Sequence, residues 1–528
     1  MNQPSKRFYL ISQIRNYLRS LELVRTFTLF SLSILSGLSI FCVAANIPPK
    51  NLAADELVIK NITLISPERH TALENAYVRI VNGEIKEVST KPIISPNNAA
   101  QIDGTGKYLT PGLMDSHVHV SRMPGIVFKG KDPTKLLQLQ NSFLAQQPRS
   151  YLYFGVTQLL DPSQSKQSIV TFNSSLQKPK LFHCGAAPIL GGYPTVWIDK
   201  HEAPKVFDYI ILDQDTAQSL PENIDLAQHT PEAVVRRMAE DGAICVKVFI
   251  EDGFGTDKNW PLISEGLLLR VKKAAKKHGL IMLAHANAID MQKIALQLEV
   301  DAIAHGMWNW NQYDGHKGLP IEIREILDGV IEQNIIFQPT FNVMDGLKGV
   351  TVPGVLNEPL YQKVVSKAAL DWYHSKEGLW FRDEMVNGFG DLPLEKIHRR
   401  QDIVISQGER VVQYLDGQNY PLVLASDTPS SPTFAAQPGY STFAELKHLH
   451  KVGVSLQRIF EAATINNAKA FKLDKSYGTV EPGKVANLLI LDESPLKTIE
   501  AYNAIDKVIV NGEVIERESL AVGNSKHQ

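Results

Sequence analysis

Residues 280–305 have the sequence LIMLAHANAIDMQKIALQLEVDAIAH, and this stretch decides the fold. It contains two short apolar runs, 280–284 and 302–304, whose length and composition predict buried strands. Residues 288–298, between the two runs, have the spacing of apolar side chains that is typical of a helix. A strand, a helix and a second strand in so short a stretch predict two neighbouring parallel strands joined by a crossover helix.

The same pattern continues through the middle of the chain. Further short and almost wholly apolar runs occur at 158–160, 244–249, 335–337 and 422–425. Repeated strand–helix units over residues 111–474 predict an α/β fold, a (β/α)8 TIM-like barrel. Residues 345–415 depart from the alternation and are rich in aromatic and charged side chains. We expect them to form a helical insertion, either a lid or a surface excursion.

Both ends of the chain predict short alternating strands instead. Asn82-Gly83 and Asn511-Gly512 each separate two such strands, and Asn-Gly is typical of a tight hairpin turn. We therefore expect a small β-sandwich domain that is formed by both termini. The predicted organisation is a signal peptide at 1–45, the first part of the β-sandwich at 46–110, the barrel at 111–474 and the second part of the β-sandwich at 475–528.

The composition narrows the class of protein. The chain has 528 residues, with 54 Lys and Arg against 56 Asp and Glu and a formal net charge of −2. Nucleic-acid-binding proteins usually have a basic excess, so the near-neutral balance argues against that class. The 44% of hydrophobic residues is ordinary for a globular protein. Three cysteines cannot build a disulfide scaffold, and we expect Cys184 and Cys245 to pack in the core without a cross-link.

The N-terminal segment is predicted to direct export. Five basic residues against one acidic residue precede an apolar run at 26–45, which ends in the small residues Val43-Ala44-Ala45. A basic region, an apolar region and a small-residue end are the three parts of a secretory signal peptide. We expect a periplasmic or secreted protein, and retention of the segment as a membrane anchor is the alternative.

Chemically reactive side chains occur where the predicted barrel strands end. His117 and His119 are two residues apart, so in a strand both imidazoles project from one face, which suits a divalent metal. His285, His305 and Asp427 each follow an apolar run. The carboxyl ends of barrel strands form the rim where the active sites of such barrels lie.

Lys247 lies inside the apolar run 244–249, where an unpaired ammonium group is unexpected because burying a charge is costly. Motifs surround all of these residues: PGLMDSHVH at 111–119, GVT at 155–157, VKV at 246–248, AHA at 284–286, AHG at 304–306, ASDT at 425–428, ATINNA at 463–468 and GTVEPGKVA at 478–486. In their order and spacing, these motifs resemble the amidohydrolase superfamily of metal-dependent hydrolases. The subgroup that the chain resembles contains imidazolonepropionase-like proteins and exported Xaa-Pro or Xaa-basic dipeptidases.

The resemblance implies two divalent metal ions, with zinc as the expected ion and manganese or another ion as the alternative. The implied ligands are His117, His119 and Asp427 for one ion, His285 and His305 for the other, and carboxylated Lys247 as the bridge between them. A metal-activated hydroxide would then cleave a carbon–nitrogen bond, and Asp427 would accept and pass on the proton. Two alternatives stay open: a one-metal deaminase or imidazolone-type ring hydrolase, and a non-catalytic exported binding protein on the same fold.

Three positions are assigned to substrate binding. Peptidase-like relatives have His-Ala-Tyr-Gly and Gly-Gly-His where this chain has HANA at 285–288 and GGY at 191–193. These departures lie where a substrate would bind, so we expect Tyr193 and Asn287 to contact it, together with Trp308. The expected partner is a small amide, lactam or dipeptide. Nucleic acid is not expected, nor is a stable membrane partner once the signal segment is cleaved, and a homo-oligomer is left open.

Overall fold

The computed structural model describes residues 56–94, 99–127, 132–163, 165–212, 224–254, 259–430 and 432–523. The predicted signal peptide at 1–45 lies outside these residues, so export stays a prediction. Within the described ranges, no helix is both long enough and apolar enough to cross a bilayer.

The described residues fold into strands and α-helices. The strands are, in chain order, β1 (Glu56–Leu64), β2 (Leu73–Val81), β3 (Glu84–Ser89), β4 (Ala100–Asp103), β5 (Tyr108–Pro111), β6 (Leu113–Asp115), β7 (Val156–Asp161), β8 (Lys180–Ala186), β9 (Cys245–Phe249), β10 (Ile281–His285), β11 (Ala302–Ala304), β12 (Ile336–Gln338), β13 (Leu488–Leu491), β14 (Ile505–Val510) and β15 (Glu513–Glu516). The α-helices are α1 (Pro133–Tyr153), α2 (Lys166–Asn173), α3 (Ala203–Val206), α4 (Pro231–Glu240), α5 (Glu265–Lys277), α6 (Ile289–Gln297), α7 (Ile321–Glu332), α8 (Phe341–Gly349), α9 (Tyr361–Val364), α10 (Lys367–His374), α11 (Trp380–Gly388), α12 (Leu394–Gly417), α13 (Tyr440–Lys451), α14 (Leu456–Glu461) and α15 (Asn467–Ala470).

Strands from both ends of the chain join in one sheet. Its order is β15-β14-β13-β5-β1-β2-β3, and β4 also pairs with β1. The antiparallel pairing of β13 with β5, with Leu489 opposite Thr110, connects the two terminal segments. In β2, Ala76, Val78 and Ile80 are buried at alternate positions, as expected when one sheet face packs on a core. The β domain from both termini is confirmed, and its boundaries stay predictions.

The middle of the chain forms the predicted barrel. Strands β6 to β12 are parallel neighbours in chain order, and they are almost wholly buried because helices cover them outside and other strands cover them inside. The segment 421–428 lies beside β6, where the Asp427 N–H donates to the His117 carbonyl (2.7 Å). At the other edge, Gln338 Nε2 donates to the Ser116 carbonyl (2.8 Å). These contacts bring the two edges of the sheet together.

The stretch 280–305 folds as its sequence predicts. It contains β10, α6 and β11, and β10 and β11 are parallel neighbours with His285 opposite Ala304. The helix covers the barrel with Ile289, Met291 and Ala295, which are buried. The short crossover therefore places the ends of two adjacent strands side by side on one rim.

The region 345–415 is helical, as predicted. It contains the end of α8, all of α9 to α11 and most of α12. Trp372 and Trp380 both donate from Nε1 to the Gly125 carbonyl, at 3.3 and 3.0 Å. Gly125 lies in the loop that follows His119, so the insertion packs against the loop beside the predicted site.

The two core cysteines form a disulfide, which corrects the expectation that they pack without a cross-link. Cys184 on β8 and Cys245 on β9 lie directly opposite each other in the register of the two parallel strands. Their Cα atoms are 4.4 Å apart, because neighbouring strands are spaced about 4.8 Å apart, and that distance can be bridged by two sulfur atoms. The sequence separation of 61 residues does not reveal this register, so the pairing was not predictable from spacing.

Candidate metal centre

The predicted metal ligands lie together at the carboxyl-terminal rim of the barrel. His117 and His119 follow β6, Lys247 lies in β9, His285 ends β10, His305 follows β11, and Asp427 follows the run 422–426. Parallel strands place their carboxyl ends on the same rim. Each of these residues lies at or near the carboxyl end of a barrel strand, so residues that are far apart in the chain lie close together at the rim.

His117, His119 and Asp427 form one compact cluster, with their ligand atoms within 4.8 Å of one another. The Nε2 atoms of His119 and His117 lie 2.8 Å and 3.5 Å from Asp427 Oδ1. Imidazole nitrogen and carboxylate oxygen are ligands that divalent transition metals accept, so this cluster could hold a metal ion. The His119 side chain is 25% exposed and the other two are buried. Solvent therefore reaches the cluster at His119.

His285 and His305 form a second group beside the first. The His305 Nε2 atom faces the His285 Nδ1 atom at 2.9 Å. The His305 Nδ1 atom lies 3.6 Å from Asp427 Oδ2. Asp427 therefore has one oxygen toward each group of histidines.

The backbone is strained at two of these positions. His305 has φ 85° and Asp427 has φ 53°, in the left-handed region that side chains with a Cβ rarely adopt. Such conformations cost about 1–3 kcal/mol each and persist only where the surroundings hold them. At Asp427 the backbone hydrogen bond to the His117 carbonyl (2.7 Å) provides this support.

Each of the four histidines has one ring nitrogen directed at a polar side chain that is not a predicted ligand. The pairs are His117 Nδ1 with Gln338 Oε1 at 2.9 Å, His119 Nδ1 with Asp161 Oδ1 at 3.6 Å, His285 Nε2 with Glu251 Oε2 at 3.1 Å, and His305 Nδ1 with Thr340 Oγ1 at 3.1 Å. Such partners fix the orientation of an imidazole and leave the opposite nitrogen free to bind a metal. None of the four partners was predicted from the sequence. Asp161 and Gln338 are the last residues of β7 and β12, and polarity at strand ends was the signal that could have identified them.

Lys247 is the least satisfied polar group of the centre. Its side chain is 2% exposed, and its Nζ atom has no hydrogen-bond partner among the described residues. Burial lowers the pKa of this amine to about 7, because water no longer stabilises the charged form. A buried amine without a partner, beside two groups of histidines, fits a site in which lysine is modified to become a ligand.

The pKa values of three other groups at the centre are also shifted. Burial lowers the pKa of His119, but hydrogen bonds to Asp161 and Asp427 outweigh burial and raise it to about 9. Burial lowers the pKa of His117 to about 3. Burial alone would raise the pKa of Asp427, but His117, His119 and His305 hold it well below its usual range. In the metal-free protein near neutral pH, a protonated His119 is therefore paired with ionised Asp427, and a metal ion would displace that proton.

Comparison with known proteins agrees with this geometry. A model described as the amidohydrolase family matches residues 206–515, which is more than half of the chain. The chain belongs to the amidohydrolase family. The match includes Lys247, His285, His305 and Asp427.

Similar sequences support the family over shorter segments. The chain is 38% identical over 78 residues to an imidazolonepropionase of Picrophilus torridus, a segment covering 15% of this chain and 19% of that protein. It is also 38% identical over 73 residues to a dihydroorotase of Trichlorobacter lovleyi, covering 14% of this chain and 16% of that protein. The chain thus aligns with less than a fifth of either relative.

Solved structures share the fold over most of the chain. A Xaa-Pro dipeptidase with bound methionine superposes with a TM-score of 0.62 at 19% identity, covering 87% of this chain and 100% of that one. Molinate hydrolase has a TM-score of 0.61 at 18% identity, covering 89% and 96%. The ochratoxinase of A. niger has a TM-score of 0.61 at 18% identity, covering 88% and 96%. At these identities the likeness concerns the fold, and it confirms the predicted barrel with an attached β domain.

In this amidohydrolase, Asp115 connects the two chain segments that hold the first cluster. Its carboxylate accepts hydrogen bonds from Ser426 Oγ (2.6 Å), Thr442 Oγ1 (2.6 Å) and the His117 N–H (3.2 Å). Burial raises the pKa of Asp115 to about 6. The carboxylate thus connects the end of β6 with the segment before Asp427, and it fixes the distance between His117 and Asp427.

The three residues assigned to substrate binding all lie next to the second pair of histidines. The Tyr193 ring is 4.8 Å from the His285 ring, and the Trp308 ring is 5.3 Å from the His305 ring. Asn287 Nδ2 donates to Glu251 Oε2 at 3.0 Å. Tyr193 also belongs to an aromatic group with Trp197, Phe254 and Trp260, with ring centroids 5.2–6.1 Å from its own. Their contacts with substrate stay predictions.

Proposed function

We propose that this amidohydrolase uses two divalent metal ions to hydrolyse a carbon–nitrogen bond of a small molecule. His117, His119 and Asp427 would hold one ion, and His285 and His305 would hold the other. Zinc is the ion we expect, since imidazole and carboxylate ligands suit it. The observation that carries this proposal is that two groups of ligand atoms lie side by side: those of His117, His119 and Asp427 are within 4.8 Å of one another, and beside them His305 Nε2 faces His285 Nδ1 at 2.9 Å.

The environment of Lys247 favours a site with two metal ions over a site with one. As a neutral amine, it can attack carbon dioxide through Nζ, forming an N–C bond and releasing a proton, which leaves a carbamate with an anionic oxygen. The carbamate would form on Nζ, which is buried and has no hydrogen-bond partner in the part of the chain that the structure describes. A one-metal site would leave this lysine buried without a partner, and burying an unsatisfied polar group is costly.

The residues of the chain have distinct tasks in this reaction. When bound, divalent metal ions lower the pKa of water and polarise a carbonyl group. Asp427 would accept the proton of the attacking water at Oδ and deliver it to the leaving nitrogen. Its carboxylate is ionised, and its strained backbone, held by the hydrogen bond to His117, keeps the carboxylate directed at both groups of histidines.

For the substrate, we infer a small amide, lactam or dipeptide. Tyr193, Asn287 and Trp308 would contact it, since all three lie beside the His285–His305 pair. The indole Nε1 of Trp308 is buried without a hydrogen-bond partner among the described residues, so it is available to donate to a substrate oxygen. The relatives named imidazolonepropionase and Xaa-Pro dipeptidase are consistent with substrates of this size.

We also propose that the protein is exported to an oxidising compartment. The Cys184–Cys245 disulfide supports this proposal, because disulfides persist in periplasmic and extracellular proteins and are rare in the reducing cytosol. The signal peptide predicted at residues 1–45 is the second argument. Cell fractionation with N-terminal sequencing of the mature chain tests it, and a cytosolic protein that begins at Met1 would contradict it.

The function itself is tested by a hydrolysis screen of N-acyl amino acids, dipeptides and cyclic amides with added zinc or manganese. Replacing Asp427 by Asn keeps the shape of the side chain but removes the charge with which it would accept a proton and bind a metal ion, so we expect a loss of at least 10²- to 10⁴-fold in kcat, roughly the range of general acid–base catalysis. The matched control is Asp402→Asn, an exposed aspartate that pairs with Lys348. A protein that binds no divalent metal, or an Asp427→Asn variant with full activity, would refute the proposal.

A further inference from the structure

Glu251 is a buried carboxylate that is not among the predicted ligands. It lies two residues after β9, and its side chain is 3% exposed. Its Oε2 atom lies 3.1 Å from His285 Nε2 and 3.0 Å from Asn287 Nδ2, and its Oε1 atom accepts a hydrogen bond from the Gly253 N–H at 3.3 Å. Burying a carboxylate is costly unless it is paired, so these contacts call for a functional explanation.

The contact with His285 determines which nitrogen of that ring has the proton. A carboxylate oxygen and an unprotonated ring nitrogen would repel each other at 3.1 Å. The Asn287 Nδ2 atom also lies 3.1 Å from His285 Nε2, but it already donates to the same Glu251 oxygen, so the proton of neutral His285 lies on Nε2. The lone pair is then on Nδ1, the atom that faces His305 Nε2 at 2.9 Å. His285 Nδ1 and His305 Nε2, which face each other, can therefore both act as metal ligands.

We propose that Glu251 is a positioning residue that fixes the tautomer and orientation of His285, so that Nδ1 is presented to a metal ion. The inference rests on the proposed function, because it concerns the ion that His285 and His305 would hold. A carboxylate behind a ligating histidine also increases the electron density on the ligating nitrogen. At His305 the corresponding nitrogen, Nδ1, has the neutral hydroxyl of Thr340 at 3.1 Å and the carboxylate of Asp427 farther away at 3.6 Å. The two histidines therefore have different hydrogen-bond partners: a carboxylate for His285 and a hydroxyl group for His305.

Asn287 completes the arrangement. Its amide nitrogen donates to the same Oε2 atom of Glu251 that faces His285, which holds the carboxylate in place. Asn287 was assigned to substrate binding from the sequence, and this contact gives it a structural task at the metal centre as well. We therefore expect Asn287→Ala to weaken metal binding less than a change at Glu251 itself.

The test is metal binding by the full chain, measured for Glu251→Gln and Glu251→Ala. Gln has the same shape but lacks the charge, and Ala removes the contact. We expect one of the two zinc ions to bind about 10- to 100-fold more weakly in Glu251→Gln, the range seen for partners behind metal ligands, and at least as weakly in Glu251→Ala. The other ion should bind as in the wild type. Metal content per chain, competition with a chelator of known affinity, and the visible spectrum of the cobalt-substituted protein measure this directly.

The control is Glu56→Gln. Glu56 is a largely buried carboxylate of β1, in the sheet formed by the terminal segments, and it accepts hydrogen bonds from Arg79 Nε (2.7 Å) and Nη2 (3.1 Å). Both ions should keep their affinity in this variant, even if its metal-free form unfolds more easily. The comparison separates an effect on His285 from the general cost of changing a buried acid.

The outcomes distinguish the inference from the function on which it rests. If the wild type binds two zinc ions and both Glu251 variants bind both with wild-type affinity, the inference is wrong and the proposed function stands. If the wild type binds no zinc, the proposed function is wrong and the inference falls with it. Should Glu251→Ala not fold, Glu251→Gln decides alone: selective weakening of one ion supports the role of Glu251, and unchanged affinity overturns it.

Discussion

Removing the Cys184–Cys245 disulfide should destabilise the barrel by several kcal/mol. The bond joins two adjacent parallel strands, and both cysteines are fully buried. Ala186 lies opposite Lys247 two positions further along the same strands, so the disulfide lies directly below the metal centre. The perturbation is the double change Cys184→Ala and Cys245→Ala.

The magnitude follows from the length of chain that the bond closes. In the chain-entropy model, a loop of 61 residues lowers the entropy of the unfolded chain by an amount worth about 4 kcal/mol at 25 °C. The two alanines also leave small voids in the barrel interior, each worth about 1 kcal/mol. We therefore expect the free energy of unfolding to fall by about 4–6 kcal/mol.

The assay is guanidinium unfolding of the wild type, the reduced wild type and the double alanine variant. Reduced and variant proteins should unfold at similar, lower denaturant concentrations. Thiol titration of the unfolded but unreduced full chain should detect Cys42 alone among its three cysteines. Three free thiols would show that the bond does not form, and a loss below about 1 kcal/mol in the variant would refute the chain-entropy argument.

Three further predictions concern the metal centre. Lys247→Ala should abolish hydrolysis and lower the metal content, with partial rescue by small carboxylic acids that replace the carbamate oxygens; unimpaired turnover in steady-state assays would contradict the proposed bridge. Zinc affinity should rise about tenfold per pH unit from about pH 7, above which Lys247 is largely neutral, to about 9 and then level off, because neutral His119 is the form that binds metal and its pKa is about 9; chelator competition across this range measures it, and a flat profile would exclude displacement of that proton. Trp308→Phe should raise KM roughly fivefold, the loss of one hydrogen bond worth about 1 kcal/mol, while metal content stays the same; steady-state kinetics that show no change in KM would remove Trp308 from the substrate contacts.

The residues that repeat with the strand–helix unit were predictable from the sequence. His285 and His305 each end an apolar run, so one period of the fold places them on neighbouring strands of the same rim. Asp427 follows the run 422–426 and reaches the same rim from the far end of the barrel. Hydrophobic periodicity predicts the barrel strands and where they end, and the resemblance to the amidohydrolase superfamily implies which residues at those ends are ligands.

What lies behind the ligands was not predictable. Gln338 contacts His117, and Glu251 contacts His285, through side chains whose positions depend on strand register and loop conformation. The Cys184–Cys245 pairing depends on register in the same way, since it requires two strands from separate units to align residue for residue. Sequence spacing determines which element a residue belongs to, but it does not determine which residue of the neighbouring element lies opposite.

The central claim is that the two groups of histidines, joined by Asp427 and Lys247, hold two divalent metal ions. The most direct measurement is a zinc titration of the metal-free full chain in the presence of bicarbonate, followed by quantification of bound zinc per chain. We predict two equivalents in the wild type, and fewer in Lys247→Ala. Failure of the wild type to bind zinc, or binding of two equivalents that survives loss of both His285 and His305, would contradict the account.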